Sequence, residues 1–490
     1  MNKLIQKVHV IVVLFLGFIP VFQATAQTFT NLHNLLFADG ANPHAGLIVS
    51  SNVLFGTTSK DGDGSSSDGF GTVFRMNTTG TSFTNLYAFN QGTDGGDIEG
   101  GVVLSGNTLY GTAYFGGASN DGCIFAIHTD GSGRTNIYNF STELPHVPFY
   151  TNSDGAYPYC GLALSGNTLF GPAEGGGAQG WGTLFAINTN GTPFTNLVNF
   201  AITNGQNPDY SVVFSSNVLY GVTGGGGTNN FSGNGTIYRV NADGSSFTNL
   251  YYFSVPLYGP VPATNADGGD PLGTLALSGN TLYGVTYDNG YYGNGTIYKI
   301  NTDGSAFTVI HEFTATNGIN STNSDGAYPE AGLLLWSNAL YGTAYLGGKF
   351  GNGTVFKLNT DGSGFTTLYS FSATNADIST DPTIFTNSDG ARPLGSLIVS
   401  GSTLYGTASV GGTNGFGTIF SITLPVQLYI TRSGTNAILS WPVGVSGFQP
   451  QYATNMVSPV TWNTIIYSGT QNIVTNPITK TNLFFRLMHP

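Results

Sequence analysis

Residues 101–113 read Gly-Val-Val-Leu-Ser-Gly-Asn-Thr-Leu-Tyr-Gly-Thr-Ala, and this stretch decides the fold because it recurs along the chain. Its centre, Leu-Tyr-Gly or Leu-Phe-Gly, occurs seven times at intervals of 50 to 64 residues. The copies are Leu54-Phe55-Gly56, Leu109-Tyr110-Gly111, Leu169-Phe170-Gly171, Leu219-Tyr220-Gly221, Leu282-Tyr283-Gly284, Leu340-Tyr341-Gly342 and Leu404-Tyr405-Gly406. Self-similarity at this period is typical of an array of one supersecondary unit, either a solenoid or a propeller.

Each repeat contains four short strand-like runs. An apolar run, Leu-Tyr-Gly-Thr, Gly-Thr-Ile-Phe and Phe-Thr-Asn-Leu-Tyr-x-Phe follow one another, separated by Gly, Asn and Asp turns. Such runs indicate an antiparallel meander, and the mature chain shows no helical 3.6-residue periodicity. The sequence therefore predicts an all-β fold, a seven-bladed β-propeller. A linear β-solenoid, whose repeats are normally much shorter, is the alternative.

The two ends of the repeat array complement each other. The last copy stops after 417–422 and lacks its fourth strand, whereas Phe29–Phe37 matches the fourth strand of the other copies. An N-terminal strand that completes the last blade would remove the open sheet edge. We therefore expect a propeller closed by the N-terminal strand.

The first 26 residues have the pattern of a secretory signal. Lys3 and Lys7 precede an apolar stretch over 10–22, and Ala24-Thr25-Ala26 forms a small-residue cleavage site. An uncleaved anchor is the alternative, but the stretch is shorter than the ~20 residues that a span needs. We expect cleavage before Gln27 and a protein that is secreted or on the outer cell surface, with a propeller over 27–424.

Residues 425–490 form a separate module because the repeat pattern changes at Pro425. They predict a small β-sandwich-like fold of the immunoglobulin or fibronectin kind. Its six expected strands are Gln427–Thr431, Ala437–Trp441, Phe448–Tyr452, Trp462–Tyr467, Asn472–Thr475 and Leu483–Leu487.

The composition excludes some partners. Without the two lysines of the signal segment, 11 basic side chains face 25 acidic ones, a net charge of −14. Nucleic acids and anionic membrane surfaces repel such a chain. Separately from the charge, we expect an extracellular glycan or a surface protein as partner, no membrane insertion of the mature chain, and a monomer.

Two cysteines, Cys123 and Cys160, belong to neighbouring repeats. Cys123 occupies the position that Thr fills in every other Gly-Thr pair, and Cys160 begins the first strand of the next repeat. A disulfide bond in an oxidising compartment and two buried free thiols are both compatible with this placement.

The whole repeat, from Leu-Tyr-Gly-Thr through Gly-Thr-Ile-Phe to Asn-Thr-Asp-Gly-Ser-x-Phe-Thr-Asn-Leu-Tyr-x-Phe, resembles the GloVer tandem repeat over residues 28–424. The fourth copy departs most, since Asn207-Pro208-Asp209 precedes its first strand. The resemblance implies an exported bacterial protein with a C-terminal sorting or anchoring module. It brings no catalytic residue to this chain.

The long loops of all blades emerge on one propeller face, where we expect any site. Asp-Gly-x-x-Pro-x-x-Gly-Leu, or a variant, precedes the first strand of most repeats. Six aspartates of this motif are candidate ligands for calcium, the one cofactor considered; the alternative is a structural turn. They are Asp39, Asp94, Asp154, Asp267, Asp325 and Asp389.

The residue after the proline position differs between repeats. His44, Glu99, Asp209 and Glu330 stand there in four repeats and predict a polar cluster at the central funnel. Paired carboxylates at such a place suit general acid/base work on a glycoside. A solvated acidic rim is the alternative.

Aromatic residues recur in the long loops. Beside Asn and Asp, they suit sugar binding, because aromatic faces stack on sugar rings; packing over the blades is the alternative. The candidates are Phe70, Trp181, Phe416, Tyr114, Tyr291 and Tyr345.

Three functions follow in order of preference. The first is an exported binding protein with a glycan ligand, the second a polysaccharide-active hydrolase or lyase that uses the four funnel residues, and the third a structural surface protein. No cysteine–histidine metal spacing, phosphate-binding loop or Gly-x-Ser-x-Gly elbow is present.

Overall fold

The computed structural model describes residues 12–13, 27–60, 70–90, 92–146, 149–227, 233–255, 265–318, 321–377, 384–425, 429–433, 436–440, 449–454, 460–465, 473–477 and 483–488. The expected signal segment lies outside the described residues except for Val12–Val13. None of the described helices is long and apolar enough to cross a membrane.

Each of the first six repeats forms one four-stranded antiparallel sheet with its strands in chain order. The first three repeats comprise Ile48–Ser50, Val53–Thr58, Thr72–Asn77 and Thr84–Ala88; Val103–Ser105, Thr108–Ala113, Cys123–His128 and Thr135–Asn139; and Ala163–Ser165, Thr168–Ala173, Thr183–Asn188 and Phe194–Asn199.

The next three sheets have the same order. They comprise Val213–Ser215, Val218–Thr223, Thr236–Asn241 and Thr248–Tyr252; Gly269–Ser278, Thr281–Asp288, Thr296–Asn301 and Thr308–Glu312; and Leu334–Trp336, Ala339–Ala344, Thr354–Asn359 and Thr366–Ser370. In the seventh sheet, Thr28–Asn34 pairs beside the strands Thr418–Thr423, Thr403–Ala408 and Ile398–Ser400.

Smaller elements complete the described chain. A 3₁₀ turn spans Phe37–Asp39, and two hairpins join Leu144–His146 to Phe149–Thr151 and Asn375–Asp377 to Ile384–Thr386. The fold is thus all-β and propeller-like, as the sequence predicts.

The glycine of Leu-Tyr-Gly is required by the aromatic residue of the third strand. Gly111 pairs with Phe125, and Gly342 with Phe356. A β-carbon at either glycine would lie 2.5 Å from Cζ of that ring, closer than any packed atom tolerates. Leu-Tyr-Gly and Gly-Thr-Ile-Phe recur together because the glycine of the first leaves the space that the aromatic ring of the second fills.

Neighbouring repeats are joined by a repeated hydrogen bond. The threonine of Leu-Tyr-Gly-Thr donates to a carbonyl at the first strand of the next repeat, as from Thr57 to Gly100 at 2.9 Å and from Thr112 to Cys160 at 2.7 Å. Thr407 of the last repeat donates in the same way to Ala45 of the first, at 3.1 Å.

The contacts of the chain define two compact units. The larger comprises Thr30–Ile398 and Tyr405–Phe420, and the smaller comprises Met1–Phe29, Val399–Leu404 and Ser421–Pro490. The smaller unit contains a three-stranded and a four-stranded sheet, the latter completed by Val12–Val13. Its C-terminal strands lie at all six expected places: Tyr429–Ser433, Asn436–Ser440, Gln449–Ala453, Asn463–Thr464, Ile473–Pro477 and Phe484–Met488.

Candidate functional site

A cavity of about 330 Å³ in the larger unit is lined by residues of all seven repeats. The lining segments lie at the beginning of each first strand: 44–47, 99–103, 159–163, 210–212, 274, 330–332 and 394–396. Most are glycines and small residues, so a few larger side chains determine the chemistry of the cavity.

In each repeat, the residue immediately before the proline position has a positive φ, between 51° and 58°, although none is glycine. These residues are Asn42, Asp97, Tyr157, Asn207, Asp270, Tyr328 and Arg392. Left-handed backbone is unfavourable for such residues. It is held by hydrogen bonds between repeats, for example from Asp97 N to Phe70 O at 2.9 Å and from Tyr157 N to Asp121 O at 2.9 Å.

We call these seven residues, together with the residues two positions later, the rim. The later positions hold His44, Glu99, Tyr159, Asp209, Leu272, Glu330 and Leu394. The backbone is the same in every repeat while the side chains differ in charge and size. The rim is therefore where a repetitive scaffold carries a non-repetitive surface.

Three of the four predicted funnel residues line the cavity and interact there. Nδ1 of His44 contacts Oε2 of Glu99, and the Tyr210 hydroxyl donates to Oε1 of Glu330 at 3.3 Å. Burial lowers the pKa of His44, but the hydrogen bond to Glu99 and the charges of Glu99 and Glu330 outweigh it, so this pKa lies above 6.5. Burial raises the pKa of Glu330, and His44 and Tyr210 partly offset it.

The fourth predicted residue, Asp209, belongs to a second acidic group beside Gly224. A β-carbon at Gly224 would lie 2.7 Å from Oδ1 of Asp270 and 3.8 Å from Oδ2 of Asp209. Oδ1 of Asp209 is fully buried and accepts no hydrogen bond. Burial, with the charges of Glu174 and Asp270, raises the pKa of Asp209 well above its usual range.

Asp270 also resists ionisation. Burial, followed by the negative charges of Asp288 and Glu330, raises its pKa to about 7. Like charges in a desolvated site favour the neutral acid over the carboxylate. Asp270 is therefore poised to gain or lose a proton near neutral pH, and Asp209 ionises less readily than an ordinary aspartate.

Tyrosines stand between these acids. The Tyr114 ring lies 5.4 Å from that of Tyr157 and 5.8 Å from that of Tyr159. The side chain of Glu174 is hydrogen-bonded to those of Tyr114 and Asn207. On the other side, Tyr287 and Tyr328 pack with ring centroids 5.2 Å apart. Aromatic faces and carboxylates thus alternate along part of the rim.

The predicted aromatic residues do not form one platform. Tyr114 joins the rim tyrosines, and Tyr345 packs with Arg392 of the rim, whose guanidinium carbon lies 5.7 Å from the ring centroid. Tyr291 is 70% exposed and contacts Tyr292, with centroids 4.9 Å apart.

The other three predicted aromatic residues pack against the scaffold. Phe70 lies against the core of the second repeat. The Trp181 ring lies 4.4 Å from that of Phe149, and the Phe416 ring 5.7 Å from that of Phe37. For these three, the packing role that the sequence left open accounts for the position.

The six candidate calcium ligands all accept hydrogen bonds from the scaffold. A Tyr hydroxyl or His nitrogen of the preceding fourth strand lies within hydrogen-bonding distance of each carboxylate, from 2.7 to 3.2 Å: His33–Asp39, Tyr87–Asp94, Tyr138–Asp154, Tyr251–Asp267, His311–Asp325 and Tyr369–Asp389. No three Asp, Glu, His or Cys residues in the described part of the chain are grouped to hold a metal ion. The turn role explains these aspartates, and calcium binding stays a prediction.

The fourth repeat supports this explanation. Val198 replaces the tyrosine of its preceding fourth strand, and Asn204 replaces the aspartate. Oδ1 of Asn204 still accepts a backbone hydrogen bond, from Ala201 N at 2.6 Å. The aspartate is thus exchanged where the tyrosine donor is lost.

Both cysteines are free thiols. Sγ of Cys123 lies 3.7 Å from the carbonyl oxygen of Asp94, where the threonines of other repeats donate, as Thr183 does to Asp154 O at 3.0 Å. Burial raises the pKa of Cys123 to about 12. Cys160 lines the central cavity.

Sequence reasoning did not single out Tyr210, Glu174, Asp270 or Gly224. Their signal is visible only when the seven repeats are superposed, because each occupies a position whose residue changes between repeats. Gly224, for example, follows the Leu-Tyr-Gly strand where Tyr114, Tyr287 and Tyr345 stand in other copies.

Three solved structures illustrate the fold likeness. A nidogen/laminin complex is 14% identical, with 62% of this chain and 91% of that chain covered and a TM-score of 0.36. A puromycin-hydrolysing peptidase from Mycobacterium tuberculosis is 11% identical, with 85% and 62% covered and a TM-score of 0.47. TolB from Acinetobacter baumannii is 13% identical, with 62% and 60% covered and a TM-score of 0.34. Likeness at this level is confined to the fold.

No curated protein matches the sequence. The sequence pattern of the Gloeobacter/Verrucomicrobia repeat, in contrast, matches residues 17–151, 143–322 and 261–472. These matches contain all seven copies of Leu-Tyr-Gly and extend over most of the chain. The chain therefore belongs to the Gloeobacter/Verrucomicrobia repeat family, as the GloVer resemblance of its repeats predicts.

Proposed function

We propose that this protein is an exported binding protein that takes a glycan at the rim of its central cavity. The observation that carries the proposal is the convergence of tyrosines and carboxylates at positions that differ between repeats. Stacking faces beside hydrogen-bonding acids suit the apolar faces and hydroxyl groups of a sugar. Export is supported by the signal pattern of residues 1–26 and by the resemblance to exported repeat proteins.

The scaffold of this site is, in the same proposal, a closed ring of seven blades. The hydrogen bond from Thr407 to Ala45 repeats between the last and first repeats a bond found elsewhere between neighbours. Leu35 N donates to Gly417 O at 3.1 Å, as Phe89 N donates to Gly71 O at 3.0 Å. A cavity lined by every repeat also favours a ring. Residues 425–490 would sort or anchor the protein.

The test is binding of the purified full-length chain to a broad glycan array, with calcium and with chelator. We expect Tyr114→Ala and Tyr159→Ala each to weaken binding about two- to tenfold, because aromatic stacking contributes about 0.5–1.5 kcal/mol. Tyr252→Ala is the matched control, since Tyr252 is 51% exposed on a fourth strand. Absence of binding to any sugar would contradict the glycan proposal.

A hydrolase is the second candidate because Asp270, with a pKa of about 7, suits a general acid at neutral pH. Its signature would be polysaccharide turnover that Asp270→Asn or Glu99→Gln abolishes while binding is retained. Binding without turnover in the unaltered protein favours the first proposal.

A further inference from the structure

We propose that the acidic group beside Gly224 holds a protonated amine of the ligand, so that the preferred glycan carries free amino groups rather than N-acetyl groups. This inference rests on the proposed function and specifies its ligand class. The group consists of Glu174, Asp209, Asp270 and Asp288, contributed by the third, fourth and fifth repeats.

The shape of the group depends on Gly224. The equivalent positions carry Ser59, Tyr114, Glu174, Tyr287, Tyr345 and Ser409 in the other repeats. Glycine leaves a notch against which Oδ1 of Asp270 and Oδ2 of Asp209 both lie. The notch brings carboxylates of two neighbouring repeats to one place.

No basic side chain among the described residues forms an ion pair with these acids. The four ion pairs among the described residues involve other carboxylates, those of Asp39, Glu99, Asp97 and Asp325. The charged groups that act on Asp209 and Asp270 are all acidic. Oδ1 of Asp209 is buried without a hydrogen bond, so this carboxyl group carries a desolvation cost that an ammonium group bound at Oδ2, the oxygen facing Gly224, would lower.

An amine fits this group better than a metal ion does. Calcium requires six to eight oxygens at about 2.3–2.6 Å, and the described residues contain no group of three ligands with metal-binding placement. An ammonium group donates three hydrogen bonds, and its acceptor oxygens can lie farther apart than the oxygens around a metal ion. Tyrosine rings at the rim add a favourable surface for a cation. Tyr210 lies near this acidic group. Burial and then the charge of Glu330 raise the pKa of Tyr210, and the charges of Asp209 and Asp270 add to that increase.

The pH dependence follows from the acids. Asp270, with a pKa of about 7, is largely neutral at pH 5 and becomes a carboxylate as the pH rises. A neutral acid attracts an ammonium group less than a carboxylate does. Affinity for the amine should therefore increase from pH 5 toward neutral pH and fall again at higher pH, where the amino group of the ligand loses its proton.

The experiment is calorimetry of the full-length chain with a hexamer of β-1,4-linked glucosamine and with its fully N-acetylated counterpart. We expect the free amine to bind at least tenfold tighter at pH 6.5, where the sugar amines are still protonated, and Asp209→Asn and Asp270→Asn each to lower that affinity about tenfold or more. Gly224→Ala should act similarly, since the added carbon displaces the Asp270 carboxylate. Asp243→Asn, in an exposed turn hydrogen-bonded to Ser245, is the control for loss of one charge.

Each other outcome has a defined meaning. Equal affinity for the two hexamers would overturn the amine inference and leave the glycan proposal intact. Binding to neither hexamer, with other sugars bound on the array, would likewise overturn only the inference. Calcium binding that Asp270→Asn abolishes would place a metal where we place the amine. Absence of any sugar binding would overturn both proposals.

Discussion

Replacing Asp389 by alanine should destabilise the protein without changing any response to calcium. Asp389 is only 4% exposed. Its carboxylate accepts hydrogen bonds from Tyr369 Oη at 2.7 Å and Ser372 N at 2.9 Å, and a third from the Ser372 hydroxyl. The same arrangement recurs at Asp154 and Asp267, so the result applies to the repeat as a whole.

The magnitude follows from the donors that the substitution leaves without an acceptor. Each buried donor that loses its partner costs about 1–3 kcal/mol, and the Ser372 hydroxyl is free to rotate toward another acceptor. Two orphaned donors, of which the Tyr369 hydroxyl is only half-buried, therefore predict a loss of about 2 kcal/mol in the free energy of unfolding. Asp389→Asn should cost less, because the amide oxygen still accepts from Ser372 N. Tyr369→Val combined with Asp389→Asn reproduces the natural pair of Val198 and Asn204 and should recover part of the loss.

The assay is denaturant unfolding followed by tyrosine and tryptophan fluorescence, with calcium and with chelator. Asp361→Ala is the control, since Asp361 is an exposed turn residue bonded to Ser363, and it should have a far smaller effect. The reasoning is refuted if calcium stabilises the unaltered protein and Asp389→Ala removes that stabilisation. In that case the aspartates would be metal ligands, and their hydrogen bonds would describe only the metal-free state.

Three further predictions concern single positions. The hydroxyls of Tyr238 and Tyr298 are buried without a hydrogen bond. Tyr298→Phe should therefore raise the free energy of unfolding by about 1 kcal/mol. A lower melting temperature of the variant would show that the hydroxyl has a partner. Cys123→Thr should be neutral or stabilising by about 1 kcal/mol, because a hydroxyl donates to Asp94 O better than a thiol does, and a marked loss of stability would contradict the repeat equivalence. Asp270 has a folded pKa of about 7 against 3.8 unfolded, so the free energy of unfolding should fall as the pH rises from 4 to 7. In denaturant titrations, Asp270→Asn should reduce that decline by at most about 4 kcal/mol. An unchanged pH profile would refute the pKa assigned to Asp270.

The sequence predicts the scaffold well because the scaffold consists of positions that recur. The strands of the repeats and the six expected C-terminal strands all follow local patterns of turns and alternation. The N-terminal strand was predicted from a match in type to a fourth strand, and it pairs in the seventh sheet. None of these inferences needs knowledge of which distant side chains meet.

The site was predicted only in part, for a physical reason. His44, Glu99 and Glu330 were expected together because they share one position of the repeat, and the cavity does join them. The contact between Asp270 and the Gly224 notch depends on which neighbouring repeat presents which loop, and no local pattern contains that information. Phe70, Trp181 and Phe416 share a position as well, yet each packs on its own neighbours.

The repeats also explain why a site should arise at the rim rather than elsewhere. A substitution at a strand position must satisfy a paired side chain in the same repeat, as Gly111 with Phe125, or in the next, as Tyr138 with Asp154. The rim backbone is fixed by its own hydrogen bonds between repeats, so its side chains are under weaker constraint. The rim positions are then free to differ between repeats, and eight of the fourteen rim residues are acids or tyrosines. An accumulation of uncompensated carboxylates is costly in the free protein, which is why we assign its benefit to a cationic ligand.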